Sequence, residues 1–221
     1  MLFGLEGLAA GLLYMNVAAI ECVRQPMPPV RVSPSKSAIR YDNSKSQRDL
    51  DRMEIDTVNP YGHGRETHVG GLMSGEIRVE HQVGFVQERY EALGKACLYY
   101  DRVNVTMVIN PTIYIASENK PGTCRYNAIL EHEKKHVEAD RIVVNKYAKR
   151  IGEAVSFALN KYGATFGPFD VASIPAVQGK LQTYIDGIVK KEVESMNKER
   201  MTMQQAIDSL EEYERVRKLC P

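Results

Sequence analysis

The chain has 221 residues, with 29 Lys+Arg against 28 Asp+Glu, 43% hydrophobic residues, five His and four Cys. That apolar fraction is enough for a packed core and excludes wholesale disorder. A net charge of +1 lacks the basic excess of a general nucleic-acid binder, so no nucleic-acid partner is expected.

In chain order, Gly7 to Ile20 form an apolar stretch ending in the small residues Val17, Ala18 and Ala19, a pattern that signal peptidase accepts, with cleavage after Ala19. Glu6 just ahead of the stretch and Asn16 within it leave too short an apolar run for a spanning helix, which needs about 20 apolar residues. Residues 1–19 are expected to be a signal peptide or an anchor. Any membrane or envelope association would be made there, and the protein would be periplasmic or secreted. In such a compartment four Cys become a disulfide framework with three alternative pairings. Cys97 with Cys124 and Cys22 with Cys220 are the expected bonds, because the topology read below brings each pair close. No CxxC or Cys/His finger spacing occurs, which argues against a structural zinc site made of cysteines.

Residues 20–57 are rich in Pro, Ser and charge, with few large apolar side chains. They are expected to be a flexible arm that cannot offset its ordering entropy, and the folded domain is expected to span 58–221. Residues 59–75 carry five Gly and read as a structured loop without phosphate-loop spacing. A strand is expected over 76–86 and a connector over 87–96. Val103, Val105, Met107 and Ile109 alternate with more polar residues, and an extended pattern resumes at Thr112, so two strands joined by an Asn110-Pro111 turn are expected. The period then becomes helical. Apolar residues recur at three- and four-residue steps from Ile129 to Tyr162, predicting one helix over 125–162, ended by Gly163. A second helical run, 176–219, follows a short linker and should pack antiparallel to the first. The class is α+β.

Inside the first long helix lies Glu131-His132-Glu133-Lys134-Lys135-His136, which contains HExxH. Residues four apart share a helix face about 6 Å from one another, so His132 and His136 can both aim imidazoles at one metal ion. Glu133 is rotated off that line, where its carboxylate can serve a water at the metal as general base and acid. Zinc is the expected ion. Zincin-type peptidases set such a helix behind a sheet whose edge strand can take extended peptide. The expected architecture is thus zincin-like, with a small sheet packed on the HExxH helix and an antiparallel C-terminal helix. A protein or peptide is the expected substrate.

The third ligand stays open at this level. Asp140 lies about 12 Å along the axis from His132, too far to share its metal; it is better placed to accept the N–H of His136 and fix its tautomer. Glu153 is about 25 Å from His136 on a continuous helix. The antiparallel partner passes the motif around 198–212, offering Glu199, Asp208, Glu211 and Glu212, with Asp208 first among them. His63, His68 and His81 form a second pool.

With these residues in view, the region from Cys97 to Leu219 resembles a bacterial family described as predicted secreted zinc-dependent proteases. The likeness rests on VNVTMVINPTIYIAS, LEHEKKHVEAD, the long helix that follows and QAIDSLEEY, and it implies an exported metallopeptidase. Members carry an Asp/Thr/His/Gly motif near the C-terminus; this chain has Asp208 without the following Thr-x-His-Gly. Two rival readings stand beside the peptidase: a noncatalytic envelope protein that binds a partner through its helical hairpin, and an amidase acting on cell-wall peptide.

Overall fold

The computed structural model describes residues 20–54, 57–62 and 68–220. The expected signal or anchor at 1–19 lies outside the described residues, as does His63.

One strand organises the sheet. Lys95–Ile115 (β4) runs 21 residues, and its Val103, Val105, Met107 and Ile109 are buried while Asn104, Thr106 and Asn110 face the other way. That period of two gives a strand with one face on a core and one in water. Gly71–Tyr90 (β3) pairs antiparallel along its whole length. The opposite edge of β4 is filled in tandem by three short strands: Thr165–Asp170 (β5, antiparallel), Val30–Lys36 (β1, parallel) and Arg40–Asp42 (β2, parallel). The result is a five-stranded mixed sheet.

The expected turn at Asn110-Pro111 does not occur. Pro111 sits opposite Gly75 on the β3 side, and on the other side it falls between the end of β1 at Ile109 and the start of β2 at Thr112. No neighbouring strand asks for its missing N–H, so proline is tolerated within the strand. The expected connector at 87–96 is instead the end of β3, a one-turn 3-10 helix at Glu91–Leu93, and a tight return through Gly94 at φ +61°, a conformation open to glycine.

The expected arm is also corrected, since residues 30–36 and 40–42 are strands of the sheet and Gln47–Leu50 forms a short helix (α1). Val30 and Val32 pack against the main core, and Leu50 is 1% exposed. An edge strand needs one apolar face only and tolerates Pro and Ser on its free side, which is why composition alone missed it. The folded unit therefore begins well before residue 58.

The helices cover one face of the sheet. Cys124–Tyr162 (α2) is a 39-residue helix, started by Thr123, whose side chain accepts from the Tyr126 N–H, and stopped at Gly163. Ile174–Ile207 (α3) returns antiparallel: Arg150 pairs with Glu192, Lys146 with Glu199 and Asp140 with Arg200. Val143, Val144, Tyr147, Ile151 and Val155 of α2 meet Ile185, Val189 and Met196 of α3 over β4. The fold is α+β. The second helical run is not continuous, because it breaks at Asp208 and restarts as Leu210–Leu219 (α4).

The disulfides are Cys22–Cys97 and Cys124–Cys220, which corrects the expected pairing. Cys97 lies on β4 beside β5, where the chain entering the fold passes Phe166. Cys124 opens α2 at the end to which α4 returns. Two disulfides fit an oxidising, extracytoplasmic environment. No helix among the described residues is long and apolar enough to cross a membrane.

Candidate metal centre

The α3–α4 junction turns Asp208 onto the HExxH face of α2. Asp208 caps α3 with φ −81° and ψ 47°, and the Ser209 side chain then caps α4 by accepting from the Glu212 N–H at 3.3 Å. This leaves the Asp208 carboxylate facing both histidines. Asp208 Oδ1 is 3.1 Å from His132 Nε2 and 3.2 Å from His136 Nε2, and the two Nε2 atoms are 3.3 Å apart. Atoms bound at about 2.0–2.1 Å to a tetrahedral ion stand about 3.3–3.4 Å from one another. The triangle therefore fits a metal ion, and His132, His136 and Asp208 form a buried group that could hold one.

Both imidazoles are backed on their far side. His132 Nδ1 faces Glu212 Oε1 at 3.4 Å, and His136 Nδ1 makes a short hydrogen bond with Gln204 Oε1. With protons on both Nδ1 atoms, two lone pairs and a carboxylate converge on one point, an arrangement that a metal ion or, in its place, a proton on Nε2 satisfies. Burial would raise the Asp208 carboxyl, but hydrogen bonds from His132, His136 and Thr57 hold it well below the usual carboxylate range. His136 moves the other way. Burial works against its charged form, yet the bond to Asp208 and the Glu133 and Asp208 charges raise its pKa.

Glu133 lies one residue along, where β3 crosses α2. Its carboxylate accepts the Met73 N–H, and burial pushes its pKa up against the opposing pull of the two histidines. The close crossing depends on Gly71, since a Cβ there would collide with Ile129 Cγ2 and come within 2.9 Å of Glu133 Oε1. His132, His136, Asp208 and Glu133 are 7%, 6%, 6% and 4% exposed, so the centre is enclosed. Part of the enclosure is the strap at 57–62. The Thr57 hydroxyl donates to Asp208 Oδ2 at 2.5 Å, Val58 exchanges two hydrogen bonds with the Gln205 side chain, and the Tyr61 ring meets Tyr213 edge-on. Tyr213 also stands edge-on to His132. Burial, then the nearby Asp208 and Glu133 charges, keep its hydroxyl protonated to higher pH than usual.

Of the residues weighed as third ligand, the structure brings Asp208 to the histidines. Glu212 stands behind His132, where Arg215 and Lys135 hold its carboxyl down to about 2. Glu199 is paired with Lys146 and Tyr147, and Glu153 with Lys149 on the exposed face of α2. His68 faces Asp51, and His81 faces Asp186 across β3 and α3. Glu211 lies in the first turn of α4 and is not part of the group. Asp140 is fully buried but does not touch the His136 ring; Gln204 stands between them. Gln204, Thr57, Tyr213 and the Met73 N–H were not legible as site groups. For Gln204 a signal existed, because it precedes Asp208 by one helical turn on the same face of α3.

Comparison of the chain with family models, curated proteins and solved structures finds no match.

Proposed function

We propose that the protein is an exported, zinc-dependent peptide hydrolase of zincin-like design, acting in the periplasm or outside the cell. One observation carries the reading: His132 Nε2, His136 Nε2 and Asp208 Oδ1 converge at 3.1–3.3 Å beside the buried carboxylate of Glu133. Two imidazoles and one carboxylate are a donor set used by hydrolytic zinc, and three protein ligands leave a fourth position for substrate or water. Zinc bound there supplies a Lewis acid that polarises a carbonyl and acidifies water.

The chain's own groups do the rest. Burial raises the Glu133 pKa, bringing it closer to the value at which a carboxylate can take a proton from attacking water and deliver it to a leaving amine. Tyr213, protonated beside Asp208, is a hydrogen-bond donor at the rim. Two disulfides support the extracytoplasmic placement. The resemblance of LEHEKKHVEAD to predicted secreted proteases points the same way, and a protein or peptide is the substrate.

The enclosure favours one alternative, a closed metal site without turnover in an envelope protein. A single experiment separates the two. Purified protein should hold one zinc and cleave unstructured protein substrates, and Glu133→Gln should keep the zinc while losing about 100- to 10,000-fold in turnover. Stoichiometric zinc with no cleavage of protein or cell-wall peptide fragments supports the closed site. Absence of bound metal sinks both.

A further inference from the structure

We propose that Asp140, acting through Gln204, fixes the His136 ring in the tautomer that metal binding requires, which makes both of them positioning residues of the centre. The inference rests on the metal-site reading above. It comes from the donor and acceptor inventory of four consecutive partners.

Gln204 is 3% exposed in the last turn of α3. Its Nε2 donates to Asp140 Oδ1 at 2.6 Å and to the His136 backbone carbonyl at 3.1 Å, while its Oε1 meets His136 Nδ1. Turning the amide over would set its oxygen against a carboxylate and a carbonyl, two contacts between acceptors, so one orientation alone is satisfied. Asp140 is itself held from behind. Arg200 Nε donates to Asp140 Oδ1 at 2.7 Å, and a guanidinium offers donors only. The chain of logic is directional. Asp140 requires the NH2 of Gln204, the carbonyl of Gln204 then requires a proton on His136 Nδ1, and His136 Nε2 is left with its lone pair. That lone pair lies 3.2 Å from Asp208 Oδ1 and 3.3 Å from His132 Nε2, where the ion would sit. A role limited to joining α2 and α3 would not demand this order of donors and acceptors.

The test reads the tautomer and the metal separately. Long-range proton–nitrogen NMR of the metal-free protein, at a pH where the ring is neutral, should show His136 wholly as the Nδ1–H form. Asp140→Ala, which removes the acceptor that turns the Gln204 NH2 toward it, should give a mixture of tautomers and weaken zinc binding about 10- to 100-fold in chelator competition. Gln204→Leu should weaken it by a similar factor. The conservative Asp140→Asn keeps the Oδ1 acceptor that Gln204 and Arg200 share, and should retain a single tautomer and most of the affinity. An Nε2–H form in the wild type overturns the proposal even if every variant misfolds, as does a folded D140A with unchanged tautomer and affinity. A wild type that shows the Nδ1–H form yet binds no zinc upholds the tautomer assignment and refutes the proposed function instead.

Discussion

The carboxylate of Asp208 lies 3.1 Å from the imidazole of His132, 76 residues earlier in the chain. The contact exists because the C-terminal helical run stops there. Continued as a helix, it would keep Asp208 pointing along its own surface; stopped, it lets the cap residue turn across to α2. Asp208→Ala should lower zinc affinity by more than about 100-fold, beyond the 10- to 100-fold typical of groups behind the ligands. Glu199→Ala, which removes an acid of the same helix already paired with Lys146, should leave affinity unchanged. Competition against a zinc chelator measures both, and equal effects would remove Asp208 from the ligand set.

Much of this centre was readable from spacing, and the misses have physical causes. HExxH places three groups on one helix by the 3.6-residue period, and an antiparallel return brought 198–212 past them, so Asp208 was within reach of sequence reasoning. The break was also written there, as Ser209 followed three residues later by Glu212, a capping-box signature, but the apolar stripe running across it suggested one helix. Gln204 offers only its place one turn before Asp208, because an uncharged amide gains its meaning from its neighbours. The edge strands β1 and β2 were hidden for a related reason: their strand character comes from β4, whose open edge they fill, and not from their own composition. The disulfide pairing shares that cause, since by composition Cys22 ends a free arm, whereas in the fold it lies against β5.

The crossing of β3 over α2 makes a second prediction. Gly71→Ala puts a methyl into Ile129 Cγ2 and against Glu133 Oε1, in a place where both neighbours are buried. Such overpacking costs about 1–3 kcal/mol. It should also displace Glu133, so turnover should fall while zinc affinity holds. Urea unfolding and zinc titration of the same variant test this; loss of zinc affinity as large as that of Asp208→Ala would mean that β3 supports the histidines instead.

The two disulfides should separate by function. Each closes a long loop, 75 residues for Cys22–Cys97 and 96 for Cys124–Cys220, and removing either should cost about 2–5 kcal/mol. No residue of α4 is fully buried, and its apolar hold is small, Val216 on the Ile113, Ile115, Ile129 and Val137 cluster and the Tyr213 ring on His132, so the Cys220 bond adds much of what keeps this helix beside α2. C124S/C220S should therefore weaken zinc binding as well, by loosening Glu212 and Tyr213 behind and beside His132. C22S/C97S should lower the melting temperature and leave zinc affinity unaltered. Equal zinc affinities in the two variants would show that α4 holds its place without the bond.

The metal-free and metal-bound proteins should respond to pH in opposite senses. The His136 pKa is raised in the fold, so its contribution to stability is fully present below the unfolded value of about 6.5 and is lost as pH rises through the folded one. Glu133 is raised as well, and its contribution likewise fades as pH climbs from about 4.3 through its folded value. The Asp208 carboxyl is lowered, so its contribution is already complete in this range and cannot compensate. Metal-free protein should accordingly lose stability as pH rises above about 6.5, because losing the His136 proton leaves three acceptors facing one another. Metal replaces that proton, and its affinity rises as the proton leaves. With saturating zinc the urea midpoint should hold or rise over the same rise in pH. Urea titrations at pH 6, 7 and 8 (about these values), with chelator and with zinc, decide the matter; parallel curves would mean that the ion binds elsewhere.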